Sequence, residues 1–139
     1  MAEIAEGYTL RDDADARAAH AFLERAYWSV GITLAEVETA LSHSLVVSAW
    51  HDGVQVGMAR VVSDRVSIAY VNDVYVLPAH VGRGLAGAML EHLRNLPELA
   101  GVGRWLLFTK DAQALYAAHG WREYPWPDRT MIIDPKVFA

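Results

Sequence analysis

Apolar positions along this chain change period several times, and each change marks an element. The run 8–11 (YTLR) reads as a short strand. Ala19, Phe22, Leu23 and Ala26 then recur at helical spacing, which predicts a helix capped by Asp12 or Asp13 and running to about Tyr27. A second helix is predicted from Thr33, where Thr33 and Glu36 have capping-box spacing and Leu34, Val37, Ala40 and Leu41 form a stripe. Residues 45–50 and 54–63 flank the turn HDG as a hairpin, and 67–76 is a third strand rich in β-branched and aromatic residues. Helical spacing returns from Gly84 to Leu96, where Pro97 ends it. RWLLFT (104–109) reads as a buried strand, and 111–120 as a short helix with Asp111 as its expected cap and Gly120 as its stop. WREYP (121–125) and TMIID (130–134) read as a last pair of strands. The predicted order is β-α-α-β-β-β-α-β-α-β-β, a mixed α/β domain with hairpins first and a strand-helix-strand crossover later.

Composition narrows the function classes. The 139 residues, 53% hydrophobic and 21% charged, suit one domain over 1–139 with a real core. There is no cysteine, which removes disulfides, zinc-thiolate sites and a Cys nucleophile. The net charge is -5 with no basic stripe, so nucleic acid is not an expected partner. Six scattered histidines show no metal-ligand spacing on one helix, and no metal is expected. No run has the length of a membrane span, and the acidic start lacks signal-peptide features, so a soluble cytoplasmic protein is expected.

Gly82, Gly84 and Gly87 spell G-x-G-x-x-G within VYVLPAHVGRGLAGAML (74–90). A dinucleotide fold closes its turn directly at the strand end, whereas residues 77–81 intervene here, with Pro78 among them. Only 52 residues follow Gly87, too few for further parallel repeats and the acidic residue such a fold needs. A glycine turn opening a helix still gathers backbone N–H groups at the positive end of the dipole, which favours phosphate. Arg83, with His80 nearby, would add charge at the rim. The alternative is that these glycines only shape a turn.

The same stretch resembles the cofactor motif of the GNAT superfamily, the acyl-CoA-dependent N-acetyltransferases: Q/R-x-x-G-x-G/A after a strand ending V-x-V-x-P. Gly84 and Ala86 take the small positions, and Val74, Val76 and Pro78 fit the strand end. Val81 departs, standing where Arg or Gln is usual. Downstream, TKDAQALYAAHGW (109–121) is similar to the family's N-x-x-A-x-x-L-Y-x-x-x-G-F, with Ala112, Leu115, Tyr116, Gly120 and Trp121 in register and Thr109 in place of Asn. The resemblance covers nearly the whole chain and implies a mostly antiparallel sheet flanked by helices.

It also implies acetyl-CoA as acyl donor. The pantetheine arm is expected along Val74 and Val76, the pyrophosphate on the amides of Gly82, Arg83, Gly84, Leu85, Ala86 and Gly87, with Thr109 and Ala112 also at the cofactor. Direct attack by a primary amine in a ternary complex needs a neutral nitrogen, a donor for the oxyanion and a proton for the thiolate. Tyr116 is the candidate acid, and the amide of Val74 the candidate oxyanion donor. Asp73, an acid inside the apolar strand YVNDVYV, is either the base or the partner of an Arg such as Arg60, with a water relay also open. Strict alternation places Asp73 on one face with Val71 and Tyr75. Tyr27, Trp28, Tyr124 and Trp126 are the expected acceptor walls. The acceptor is a small-molecule or peptide amine; a homodimer is common among proteins of this resemblance, although no interface stripe stands out in the sequence. An acyl-CoA-binding module without turnover is the second reading, and a dinucleotide binder the third.

Overall fold

The computed structural model describes residues 4–138. Among these residues five strands form one sheet in the order β1-β2-β3-β4-β5: β1 (Tyr8–Arg11), β2 (Leu45–His51), β3 (Val54–Ser63), β4 (Ala69–Val76) and β5 (Trp105–Leu106). The first four are antiparallel neighbours. Asp52 and Gly53, with φ of 49° and 75°, join β2 to β3 as a two-residue turn, a conformation that matches the twist of the flanking strands. β5 is parallel to β4 because α3 (Leu85–Arg94) carries the chain back between them. The expected fold class and crossover are therefore present.

Each face of the sheet buries its own core. On one, Val47, Ala59, Val61 and Val71 pack with Leu85, Met89 and Leu93 of α3. On the other, Met58 and Tyr75 pack with Ala19 and Leu23 of α1 (Ala16–Leu23) and Val37 of α2 (Leu34–Ser42). Met58 and Ala59 are consecutive yet belong to different clusters, as strand alternation requires.

Several local expectations are corrected. The capping box of α2 forms as predicted. The cap of α1, however, is Asp15, which accepts from the amides of Arg17 and Ala18, while Asp13 is bound to Arg11. That helix ends at Leu23 rather than Tyr27, because the next amides turn back three residues to Phe22 and Leu23. α4 (Gln113–Ala117) has Ala112 as its cap, without a side-chain hydrogen bond, so Asp111 does not cap it. β5 is two residues long rather than six. The last pair of strands is not formed among the described residues: Pro127–Arg129 is a 3-10 turn, and 130–134 has no ladder partner. Pro125 and Pro127 remove two backbone donors from this segment.

The register of β3 with β4 runs from Arg60↔Asn72 to Met58↔Tyr75, so Asp73 and Val74 stand opposite Ala59 alone. This is a β-bulge, and Asp73 has φ 54° within it. The extra residue reverses the alternation. Val71 joins the α3 cluster and Tyr75 the α1–α2 cluster, which corrects the single face assigned to Val71, Asp73 and Tyr75.

Candidate active site

β4 and β5 pair only through Ala69↔Trp105 and Tyr70↔Leu106. Beyond Tyr70 the bulge bends β4, the strands part, and a cleft of about 640 Å³ opens between them. Residues 70–74 of β4 form its floor. Tyr27, Trp28 and Ser29 of the α1–α2 link form one wall, and the chain from Leu107 to Ala112 with Tyr116 of α4 forms the other.

Asp73 is buried in that floor with both oxygens engaged. Arg60 Nε donates to Oδ2 at 2.6 Å and Trp28 Nε1 to Oδ1 at 2.8 Å. Arg60 also donates through Nη1 to Ser44 Oγ at 3.2 Å. Side-chain exposures of 13% for Arg60 and 8% for Asp73 make this a buried ion pair. Such a pair needs further hydrogen bonds to support it, and Trp28 supplies one to Asp73 and Ser44 accepts one from Arg60. Of the two alternatives open to Asp73, the arginine partner is present.

Tyr116 reaches the cleft from α4, and its ring meets Trp121 edge-on at 6.0 Å between centroids. No described side chain hydrogen-bonds to its hydroxyl. Burial pushes its phenol above the usual tyrosine value, with Tyr27 adding to the rise, so it stays protonated at neutral pH. Thr109 Oγ1 accepts from the amide of Ala112 at 3.0 Å and fixes the turn into α4. Lys110 Nζ lies 5.2 Å from the Tyr27 ring centroid, in cation–π range.

At the far end of β4, a 3-10 turn over Pro78–His80 leads to the glycine turn. α3 opens with no side-chain cap, its N-cap Gly84 left-handed at φ 72°. Gly82 has φ 87°, and a Cβ at either glycine would meet nothing within 4 Å. The sequence thus holds the turn through backbone conformation and leaves the space before the helix amides open. That arrangement suits an anion. Arg83 is exposed beside it. His80 shares a 2.7 Å hydrogen bond with the Tyr8 hydroxyl and packs against the Tyr8 and His51 rings, so it is tied to β1. Gly87 is buried in α3, where a Cβ would collide with the His119 imidazole; its glycine serves that packing.

The cleft brings together Tyr27, Trp28, Asp73, Val74, Thr109, Ala112 and Tyr116. Val76 lies outside it, paired with Gly57 and packed on the α3 cluster. Tyr124 and Trp126 are not brought to it either: without the closing hairpin they stay exposed and pack edge-on against each other at 6.0 Å. Sequence reading left Tyr70, Asn72 and Lys110 unassigned. Lys110 had a readable signal, a cation two positions after the apolar run 105–108. Tyr70 and Asn72 had none beyond membership of β4.

The family model described as "Acetyltransferase (GNAT) domain" matches residues 42–123. A crystal structure of a "putative acetyltransferase belonging to the gnat family" from Xanthomonas campestris pv. campestris is 37% identical and superposes with TM-score 0.86, over 91% of this chain and 92% of that one. The ribosomal-protein-S18-alanine N-acetyltransferase of Escherichia coli shares the fold at 24% identity and TM-score 0.71, over 84% and 79% of the two chains. A "putative acetyltransferase" of Gibberella zeae is 37% identical over 75 residues, which are 50% of this chain and 41% of that protein.

Proposed function

The chain belongs to the GNAT family of acetyltransferases, and from that premise we propose that it transfers an acetyl group from acetyl-CoA to a primary amine, of a small molecule or a peptide. The observation that carries this reading is the parting of β4 and β5 between an uncapped helix N-terminus and a phenol whose hydroxyl has no hydrogen-bond partner among the described residues. Acetyl-CoA supplies the activated acyl carbon. Its pyrophosphate fits the amides from Gly82 to Gly87, where the open space before Gly82 and Gly84 admits phosphate oxygens. Its pantetheine arm would follow Val74 and Val76, with Thr109 and Ala112 on the opposite side. The amide of Val74 would donate to the carbonyl oxygen as it gains charge. Tyr116 holds at its Oη the proton that a departing thiolate needs. Both carboxylate oxygens of Asp73 are held, by Trp28 and by Arg60. We therefore assign it as a positioning residue, with the amine's proton passing to water in the open cleft. The protein on this reading is a cytoplasmic enzyme with a single acetyltransferase domain over residues 1–139 that engages neither nucleic acid nor membrane. No described helix is long and apolar enough to cross one.

Isothermal titration with acetyl-CoA, with NAD as control, tests the cradle. Binding of acetyl-CoA alone, followed by CoA release with a panel of primary amines, supports the proposal, and Tyr116→Phe is expected to lower kcat about a hundredfold with little change in binding. Failure to bind acetyl-CoA or longer acyl-CoAs overturns it. Binding without turnover by any amine leaves a binding module instead.

A further inference from the structure

Among the described residues the charged side chains that line the cleft are Arg60, Asp73, Lys110 and Asp111. Arg60 and Asp73 meet at 2.6 Å in its floor, where their charges offset each other. Lys110 and Asp111 are exposed neighbours, and neither forms an ion pair among the described residues. The cleft therefore presents an open cation and an open anion side by side.

The position of Lys110 turns its charge toward the acceptor rather than the acyl donor. Its Nζ lies 5.2 Å from the Tyr27 ring centroid, against the wall that the α1–α2 link supplies. The glycine turn suited to phosphate opens α3, which packs on the other face of the sheet. Tyr27 is also close enough to Tyr116 to raise its phenol, so one ring neighbours both the lysine and the hydroxyl of the proposed transfer. Tyr27 and Trp28 meet edge-on at 5.1 Å, and they are 58% and 38% exposed. Rings left open in a cleft gain by covering an apolar or aromatic body.

Resting on the reading that this cleft acetylates a primary amine, we propose that the acceptor also bears a carboxylate on an aromatic body, and that Lys110 selects it. The rings of Tyr27 and Trp28 hold the body, and the Lys110 ammonium pairs with the carboxylate. Asp111 suits the ammonium that the acceptor carries before it sheds its proton. The chain's net charge of -5 repels an acid at a distance, so a local cation is what lets one dock.

The test compares para-aminomethylbenzoate with its neutral carboxamide, which keep the same amine and ring and differ in charge. CoA release by the full chain at low salt is expected to give a kcat/KM about fivefold higher for the acid, the worth of one partly exposed ion pair. Added salt should shrink that preference. Lys110→Met should abolish it, Lys110→Arg keep it and Lys110→Glu invert it. Asp111→Asn should raise KM for both amines alike, and aminohexanoate, an acid without the ring, should be a poorer acceptor than the benzoate. Equal kcat/KM for acid and carboxamide overturns the proposal, and so does a preference that survives Lys110→Met or an aminohexanoate as good as the benzoate. Weaker acetyl-CoA binding by Lys110→Met in isothermal titration overturns it too, because the lysine then serves the donor. Each of these failures leaves amine acetylation standing. Acetylation of no amine at all removes that reading, and this inference with it.

Discussion

Asp73 shows how a residue's oddity can be plain in sequence while its task is not. A carboxylate within YVNDVYV announces a partner or a cleft, and the structure supplies both. The bulge that places it was hidden, because a bulge is a relation between two strands and Arg60 lies 13 residues earlier. Asp73→Asn leaves Arg60 buried without its counter-charge, and urea denaturation is expected to show a loss of about 3 kcal/mol. Unchanged or raised stability with activity abolished would instead make Asp73 the base. Tyr116 was legible from its motif, and its environment adds a pH prediction. Its folded pKa lies above the unfolded value, so the neutral phenol and the stability it favours persist at lower pH and are lost as pH rises through the folded value. The pH–rate profile should therefore show no basic limb from Tyr116 below about pH 10. A limb near pH 8 that vanishes in Tyr116→Phe would contradict this.

At the scale of elements, legibility depended on how far apart the deciding residues lie. The capping box of α2 needs only Thr33 and Glu36, and it forms as read: the Glu36 carboxylate accepts from the Thr33 amide at 3.0 Å. Thr33→Ala should cost about 1 kcal/mol in urea unfolding. The backbone and side-chain hydrogen bonds from Thr33 hold the Glu36 carboxyl below its usual value, so its contribution is present at neutral pH and lost as pH falls through the folded value. The cap of α1 was misread because three nearby acids compete. Arg11 takes Asp13, and Gln55, 40 residues away, accepts from the Asp15 amide at 2.7 Å. β5 and the final strands were overread for a related reason. RWLLFT and TMIID have the composition of strands, but ladders need a neighbour, and β4 bends away after Tyr70.

Across the whole molecule, the family and fold class were readable from two motifs in order, whereas the division of the core was not. The α3 side of the sheet carries the glycine turn, and the α1–α2 side supplies Tyr27 and Trp28 to the cleft. The α1–α2 cluster is the smaller, so native-state hydrogen exchange should find α1 and α2 amides opening about tenfold or more faster than those of β2, β3 and α3. Uniform protection across both would mean that the two cores unfold as one. Their separation has a consequence for descent. Substitutions at Tyr27 and Trp28 load the α1–α2 cluster first and reach the α3 cluster chiefly through Leu77, which packs against both. If the proposed function holds, a lineage built on this plan can drift from one amine to another with little change in its grip on the acyl donor.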